Sequence, residues 1–249
     1  MSRAAYLDLD GTLLGPGGSL LRDGSGAFTT DGVEALRLLA DAGVAVVLTS
    51  GRSRPRLEAV RSVVGADGIL PEMGALDSGY PVRPGQTVHE AIAETGITAA
   101  LLAREPGLRV YAPAQWGREG SHALAGTLSA DAHRFVAEYS GGTLRLADNG
   151  RAEGGGKLIH LLPAAASKAA AVARDVGARG LEPAACLAVG DSLQDLGMGD
   201  SVGRIAIVAN GAAADATLAA RAPWVTAGSF GAGVLEALRA WLAEVPPAA

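Results

Sequence analysis

The sequence predicts an α/β protein: a Rossmann-like doubly wound parallel sheet covered by helices, with an α+β domain inserted into it. Three observations predict this. Short apolar runs alternate with longer amphipathic ones near both ends of the chain, the texture changes in the middle, and turn-rich linkers flank the change. At 249 residues, with 49% hydrophobic and 19% charged side chains, the chain can bury one large core and a smaller insert.

The strand candidates, in order, are AAYLDLD (4–10), VAVVLTS (44–50), GIL (68–70), KLIHLL (157–162), CLAVGD (186–191) and RIAIV (204–208). Helical patterns separate them at DGVEALRLLADAG (31–43), RPRLEAVRSVV (54–64), SKAAAVARDVG (167–177) and DATLAARA (215–222). Thr30, Asp31 and Ser167 suit helix N-caps, and Gly43 suits a stop. From Gly79 to Glu153 the pattern becomes one of helix and antiparallel strand, bounded by DSGYPVRPG and DNGRAEGGG. The predicted division is a core from residues 1–79 and 155–249 and an inserted domain from 80–154.

Composition excludes several classes of function. A formal net charge of -5 with scattered Lys and Arg offers no basic field for a nucleic-acid backbone. Cys186 is the sole cysteine, in an apolar setting, so neither an intrachain disulfide nor a cysteine-rich metal site is available. No apolar run reaches the roughly 18 residues of a membrane span. The first strand begins almost at the N-terminus, which leaves no room for a signal peptide, and the expected compartment is the cytoplasm.

The residues that invite chemistry sit at strand ends. Asp8 and Asp10, at the end of the first strand, are expected to point the same way, because alternate side chains of a strand share a face. Two carboxylates so placed repel unless a cation or donor lies between them, and the C-terminal edge of a parallel sheet is where binding crevices form. A solvated strand end is the plain alternative. A calcium loop counted from Asp8 fails, because Leu13 and Ser19 stand where Gly and an acid are needed. A P-loop in GRAEGGGKLIH fails at Arg151 and Leu158. Ser50 ends the second strand before a Gly51-Arg52 turn, where a hydroxyl and backbone N–H groups can hold an oxyanion. Lys168 stands at a helix start, an unfavourable place for a cation unless an anion is near. Asp191 and Asp195 close another apolar strand, with helix capping by Asp191 as the plain reading.

Taken in order, DLDGTLL, TSGR, the isolated Lys168 and GDSLQD resemble the four motifs of the haloacid dehalogenase superfamily of phosphohydrolases. The position of the insert resembles the type with a large α/β (C2-type) cap, Cof-type, and GREGSHALAG and GGKLIHLLPAAASKAAAV are similar to the mannosyl-3-phosphoglycerate phosphatase branch. Three departures stand out: Gln194 where Asn is common, Glu72-Met73-Gly74-Ala75 where the family reads E-N-G-A, and no further motif glycine after Lys168.

The resemblance implies a Mg²⁺-dependent phosphatase that forms an aspartyl-phosphate on a small phosphorylated metabolite, a sugar or sugar-acid phosphate. It implies Asp8 as nucleophile, Asp10 as acid and base, and Ser50 and Lys168 as stabilisers of the phosphoryl charge. Asp8, Asp10, Asp191 and Asp195 are the implied metal site, with Thr12 stabilising the turn. Gly51, Arg52, Arg118 and His122 are the expected substrate contacts, with Arg54 beside them and Trp116 as a sugar-stacking face. A phosphomutase or phosphotransferase, or a non-catalytic binding protein on the same fold, are the alternatives. Neither nucleic acid nor membrane is expected as a partner.

Overall fold

The computed structural model describes residues 2–152 and 155–244. In chain order its main elements are β1 (Ala4–Asp8), α1 (Asp31–Asp41), β2 (Ala45–Thr49), α2 (Arg54–Val64), β3 (Gly68–Leu70), α3 (Val88–Glu94), α4 (Ile97–Arg104), β4 (Leu108–Val110), α5 (Ala112–Gln115), β5 (His122–Gly126) and α6 (Ala132–Tyr139). There follow β6 (Leu144–Arg151), β7 (Lys157–Pro163), α7 (Lys168–Ala178), β8 (Cys186–Gly190), α8 (Leu193–Leu196), β9 (Arg204–Ile207), α9 (Ala209–Ala214), α10 (Ala216–Arg221) and α11 (Phe230–Glu244).

Two compact units result. The first comprises residues up to Ser50, Ala59–Leu70 and the chain from Lys168 on; the second comprises Gly51–Glu58 and Pro71–Ser167. The first unit holds a five-stranded parallel sheet in the order β3-β2-β1-β8-β9. Every residue of β1 is buried, as a central strand covered on both faces requires. Tyr6 and Asp8 share one face of β1, and α7 covers that face. The Tyr6 hydroxyl donates to Asp175 Oδ2 at 2.9 Å, two helical turns beyond Lys168. Around this seam Ala4, Tyr6, Val47, Val172, Val176, Ala188 and Ile207 form a continuous core.

The second unit is built on a four-stranded antiparallel sheet, β4-β5-β7-β6. Ile92, Ile97 and Leu101 from its helices pack with Leu124, Leu146, Ile159 and Leu161 from its strands. A capping box starts α3, with the Thr87 hydroxyl accepting from Glu90 N and the Glu90 carboxylate from Thr87 N.

The domain boundaries differ from the sequence expectation in two places. KLIHLL, expected in the parallel core, is β7 of the antiparallel sheet, paired with β5 and β6, so the second unit runs on to Ser167. A buried strand's apolar run does not reveal which sheet it joins. The segment Gly51–Glu58 also clusters with the second unit. The boundary expected at residues 153–154 lies outside the described residues. The first strand is shorter than predicted as well, ending at Asp8, while Asp10 forms an isolated bridge with Leu14. Asp8 is consequently buried and Asp10 exposed, so their placement follows from a turn and not from strand alternation.

Leu124 is fully buried in the antiparallel sheet. Leu124→Ala is expected to cost about 2–5 kcal/mol in a denaturant melt; a loss near zero would contradict the packed core described for this unit.

Candidate active site

Three adjacent strands of the first unit deliver the site at their C-terminal ends. Asp8 ends β1 in register with Thr49, so Ser50 lies one residue beyond it on β2. Leu7 is in register with Val189, which places Asp191 just past the end of β8. Because the strands are parallel, all these residues leave the sheet at the same edge.

The residues after Asp8 form a tight turn. Leu13 N donates to Asp8 O and Leu14 N to Leu9 O, and the Thr12 hydroxyl donates to Asp8 Oδ2 at 2.8 Å. Gly11 is required here. Its φ is 89°, and a Cβ on it would come within 2.1 Å of Asp191 Oδ2. Its carbonyl accepts from Asn210 Nδ2 of α9 at 2.8 Å, a contact that no local spacing in the sequence announces.

Lys168 opens α7 and is buried. Its Nζ lies 2.5 Å from Asp8 Oδ1 and 2.6 Å from Asp195 Oδ1. Burial alone would push its pKa down, but Asp195 and Asp8 outweigh that, and the net shift is upward. The ammonium therefore stays charged. Asp195 Oδ2 accepts from Asp191 N (3.2 Å), Ser192 N (3.0 Å) and Ser192 Oγ (2.5 Å). The N-cap of α8 is thus Ser192, in a capping box with Asp195. Helix capping does not occupy the Asp191 carboxylate.

Asp8 and Asp191 are out of their ordinary range. Burial, above all, pushes Asp8 up to about 7 despite Lys168 beside it. Burial and then the neighbouring Asp8 and Asp195 push Asp191 up to about 8. Ligating oxygens of Asp8, Asp191 and Asp195 lie within 4.8 Å of one another. Once all are ionised, three carboxylates against the one ammonium of Lys168 leave two negative charges. The donor set is all oxygen and the missing charge is that of a divalent cation, so these residues fit a hard metal ion.

The other sequence-predicted residues fall in the second unit, in different settings. Gly51 is buried and Arg52 half-buried, directly following Ser50. A Cβ on Gly51 would stand 2.3 Å from Asn149 Nδ2, and Asn149 in turn donates to His160 Nε2 at 3.1 Å. Arg118 has a side chain 2% exposed, and its guanidinium donates to Ala114 O, Ser121 Oγ, Glu72 Oε2 and Gly51 O. His122 is buried between Thr98, whose hydroxyl meets Nδ1 at 2.7 Å, and the His89 carbonyl, 2.9 Å from Nε2. Burial pushes its pKa down to about 4, so it stays neutral. Trp116 is 64% exposed, and Arg54 faces Glu119 at 3.3 Å on the surface.

Glu72 carries a role the sequence did not disclose. It and Met73 have φ of 50° and 55°, left-handed conformations that cost non-glycine residues about 1–3 kcal/mol each. The buried Glu72 carboxylate accepts from Arg118, Ser121 Oγ, Glu119 N and Gly120 N. The sequence signal was the departure E-M-G-A; nothing in it pointed to Arg118 as the partner.

A parallel core whose central strand ends in a lysine-braced aspartate beside further acids, interrupted by an α+β unit, defines a capped phosphohydrolase. Comparison with known proteins agrees. The phosphoglycolate phosphatase of Methanoculleus marisnigri is 31% identical over 244 residues, 96% of each chain. That of Methanococcoides burtonii is 27% identical over 238 residues, 95% of each. A crystallised phosphatase of the HAD superfamily from Bacteroides thetaiotaomicron shares the fold with a TM-score of 0.67 at 19% identity, over 97% of this chain and 95% of that one. No family model matches the chain. The protein belongs to the haloacid dehalogenase superfamily of capped phosphatases and is a phosphoric monoester hydrolase. No helix among the described residues is long and apolar enough to cross a membrane.

The raised acids give a pH signature. Asp8 and Asp191 hold protons in the folded chain that the unfolded chain, with carboxyls near 3.8, releases. Their contribution to stability is therefore full below about pH 4 and is lost as pH rises towards about 8. In a chelator the melting temperature is expected to fall between about pH 5 and about pH 8, and a divalent cation should restore it increasingly over that range. A metal-induced shift independent of pH would remove this cluster as the metal site.

Proposed function

We propose that the protein is a Mg²⁺-dependent phosphatase that hydrolyses a small phosphorylated acid through an aspartyl-phosphate on Asp8. The observation that carries this reading is the buried Lys168 ammonium bridging Asp8 and Asp195, with Asp191 within ligating distance. Such a constellation orients one carboxylate and leaves room for charge from a metal and a phosphoryl group.

Asp8 Oδ attacks phosphorus as the ester P–O bond breaks, and Asp10 gives its proton to the departing alkoxide. Asp10, now a carboxylate, takes a proton from water; the water oxygen attacks phosphorus, the P–O bond to Asp8 breaks, and inorganic phosphate leaves. A positioned acid and base of this kind is worth about 10²–10⁴-fold in rate. Thr12 and Lys168 fix the orientation of the Asp8 carboxylate. Lys168, the Ser50 hydroxyl and the N–H groups of the Gly51-Arg52 turn balance the charge spread over the equatorial phosphoryl oxygens. Asp8, the Asp10 backbone carbonyl and Asp191 would hold the cation, which would neutralise phosphoryl charge. Asp195 acts from behind by holding Lys168 and the Asp191 amide.

For the substrate, the names of both curated relatives favour phosphoglycolate. It is the smallest member of the phosphorylated hydroxy-acid class, and sugar and sugar-acid phosphates form the wider set to be tested.

Three measurements check the reading. Phosphate release from a panel of phosphoglycolate, sugar phosphates, sugar-acid phosphates and nucleotides, with Mg²⁺ and with EDTA, is expected to be metal-dependent and strongest on phosphoglycolate. Preference for a hexose phosphate would move the substrate to the sugar class, and release undiminished by EDTA would exclude the metal. Asp8→Asn should keep the fold and abolish turnover. Asp10→Asn should lose more activity on phosphoglycolate than on p-nitrophenyl phosphate, whose leaving group needs no proton; equal losses would refute the acid role.

A further inference from the structure

The buried ion pair of the second unit has no part in the chemistry just described, yet it grips the turn that follows Ser50. Arg118 Nη2 donates to Gly51 O at 2.9 Å, and Glu72 N donates to Arg52 O at 3.0 Å. The two donors belong to one locked pair, since Arg118 Nη1 also meets Glu72 Oε2 at 3.2 Å. Consecutive carbonyls of the turn are thus both held by groups of the second unit. In a trans peptide the next N–H points opposite to each carbonyl, so the amides of Arg52 and Ser53 face away from Arg118 and Glu72. The Ser53 hydroxyl, in the same turn at the start of α2, is fully buried and has no hydrogen-bond partner among the described residues. A buried polar group of this kind is expected to meet something besides the protein. Glu72 itself is held in the left-handed region, and the surrounding structure must over-determine it for that conformation to persist.

We infer that Arg118 and Glu72 are positioning residues for phosphate: they set the two peptide planes after Ser50 so that the turn offers its amides to the phosphoryl group. The inference rests on the reading that this turn holds the phosphate. It gives Arg118 a different task from the leaving-group contact expected from sequence. A positioning role acts on every phosphate ester alike, whereas a leaving-group contact acts only on the ester it recognises.

The test uses the full chain with Mg²⁺ and four variants, Arg118→Lys, Glu72→Gln, Ser50→Ala and Glu105→Ala. Arg118→Lys keeps a cation beside Glu72 but loses the fork that reaches Gly51 O at the same time. Glu105→Ala removes the hydrogen bonds to Ser129 elsewhere in the same unit and controls for lost stability alone. The expected result is that Arg118→Lys and Glu72→Gln raise KM for phosphoglycolate and for p-nitrophenyl phosphate by the same factor, about tenfold. The inhibition constant of inorganic phosphate should rise in parallel, while Glu105→Ala lowers the melting temperature and leaves all three constants in place. An effect confined to phosphoglycolate would overturn the inference in favour of a leaving-group contact. Unchanged KM and inhibition constants in both variants, with Ser50→Ala still weakening phosphate, would overturn it outright. Phosphate inhibition unmoved by Ser50→Ala would instead remove the underlying reading of the turn, and the inference with it.

Discussion

The contact on which the catalytic edge depends is the Lys168 ammonium between Asp8 and Asp195. All three groups are buried, and each would cost several kcal/mol to desolvate alone. Lysine at the first position of α7 also opposes the helix dipole. Neither cost is sensible for stability, because an apolar triad of the same volume would serve as well or better. Both make sense if the ammonium has to stand beside a carboxylate that reacts. The fold is arranged to hold it there: Tyr6 and Asp8 share a face of the central strand, and Tyr6 binds Asp175 while Asp8 binds Lys168, so strand and helix are tied at two points.

The remaining acids are explained by the same charge balance. Asp195 is spent on Lys168, Ser192 and the Asp191 amide, which fixes it as a support. For Asp191 burial, and then the neighbouring Asp8 and Asp195, outweigh the lowering effect of Lys168, so its pKa stays raised. Gly11 is the steric counterpart, because only a residue without Cβ lets the turn after Asp8 approach the Asp191 carboxylate. Carboxylates, lysine and glycine therefore form one electrostatic and steric unit, and none of them can be changed without unbalancing the others.

Much of this was legible in the sequence, and the limits have physical causes. The parallel core and the residues at its strand ends could be read because apolar runs ending in Asp, Ser-Gly or Gly-Asp are local signals. Assignment of β7 could not, since LIHLL reads the same in either sheet and its partners are distant in sequence. The shared face of Asp8 and Asp10 was expected from strand periodicity, but the strand stops at Asp8 and a turn stabilised by Thr12 takes over. Arg118 and His122 were singled out because charged and titratable groups in GREGSH look available. Their burial against Glu72, Thr98 and His89 is tertiary and leaves no trace in local spacing. Ser192 was hidden by Asp191, which is the better-known capping residue type but here leaves the cap to its neighbour.

Among the described residues local rules are broken at Phe230, with φ of 51°, and in two larger groups whose kind is informative. In the first unit they are the buried acids and a lysine at a helix start; in the second they are two successive left-handed residues, Glu72 and Met73, and a buried ion pair. Asn, which the family commonly has in place of Met73, tolerates that conformation better, so strain is not relieved here by residue choice. Met73 instead fills an apolar cluster with Ala75, Ala147, Leu162 and Ala166, and the packing offsets the backbone cost. A sequence under selection for stability alone would shed such features, and chains retain them where function over-determines the geometry. In this chain one group of violations surrounds the aspartate at the end of β1 and the other grips the turn at the end of β2, the two places proposed above to engage the phosphoryl group.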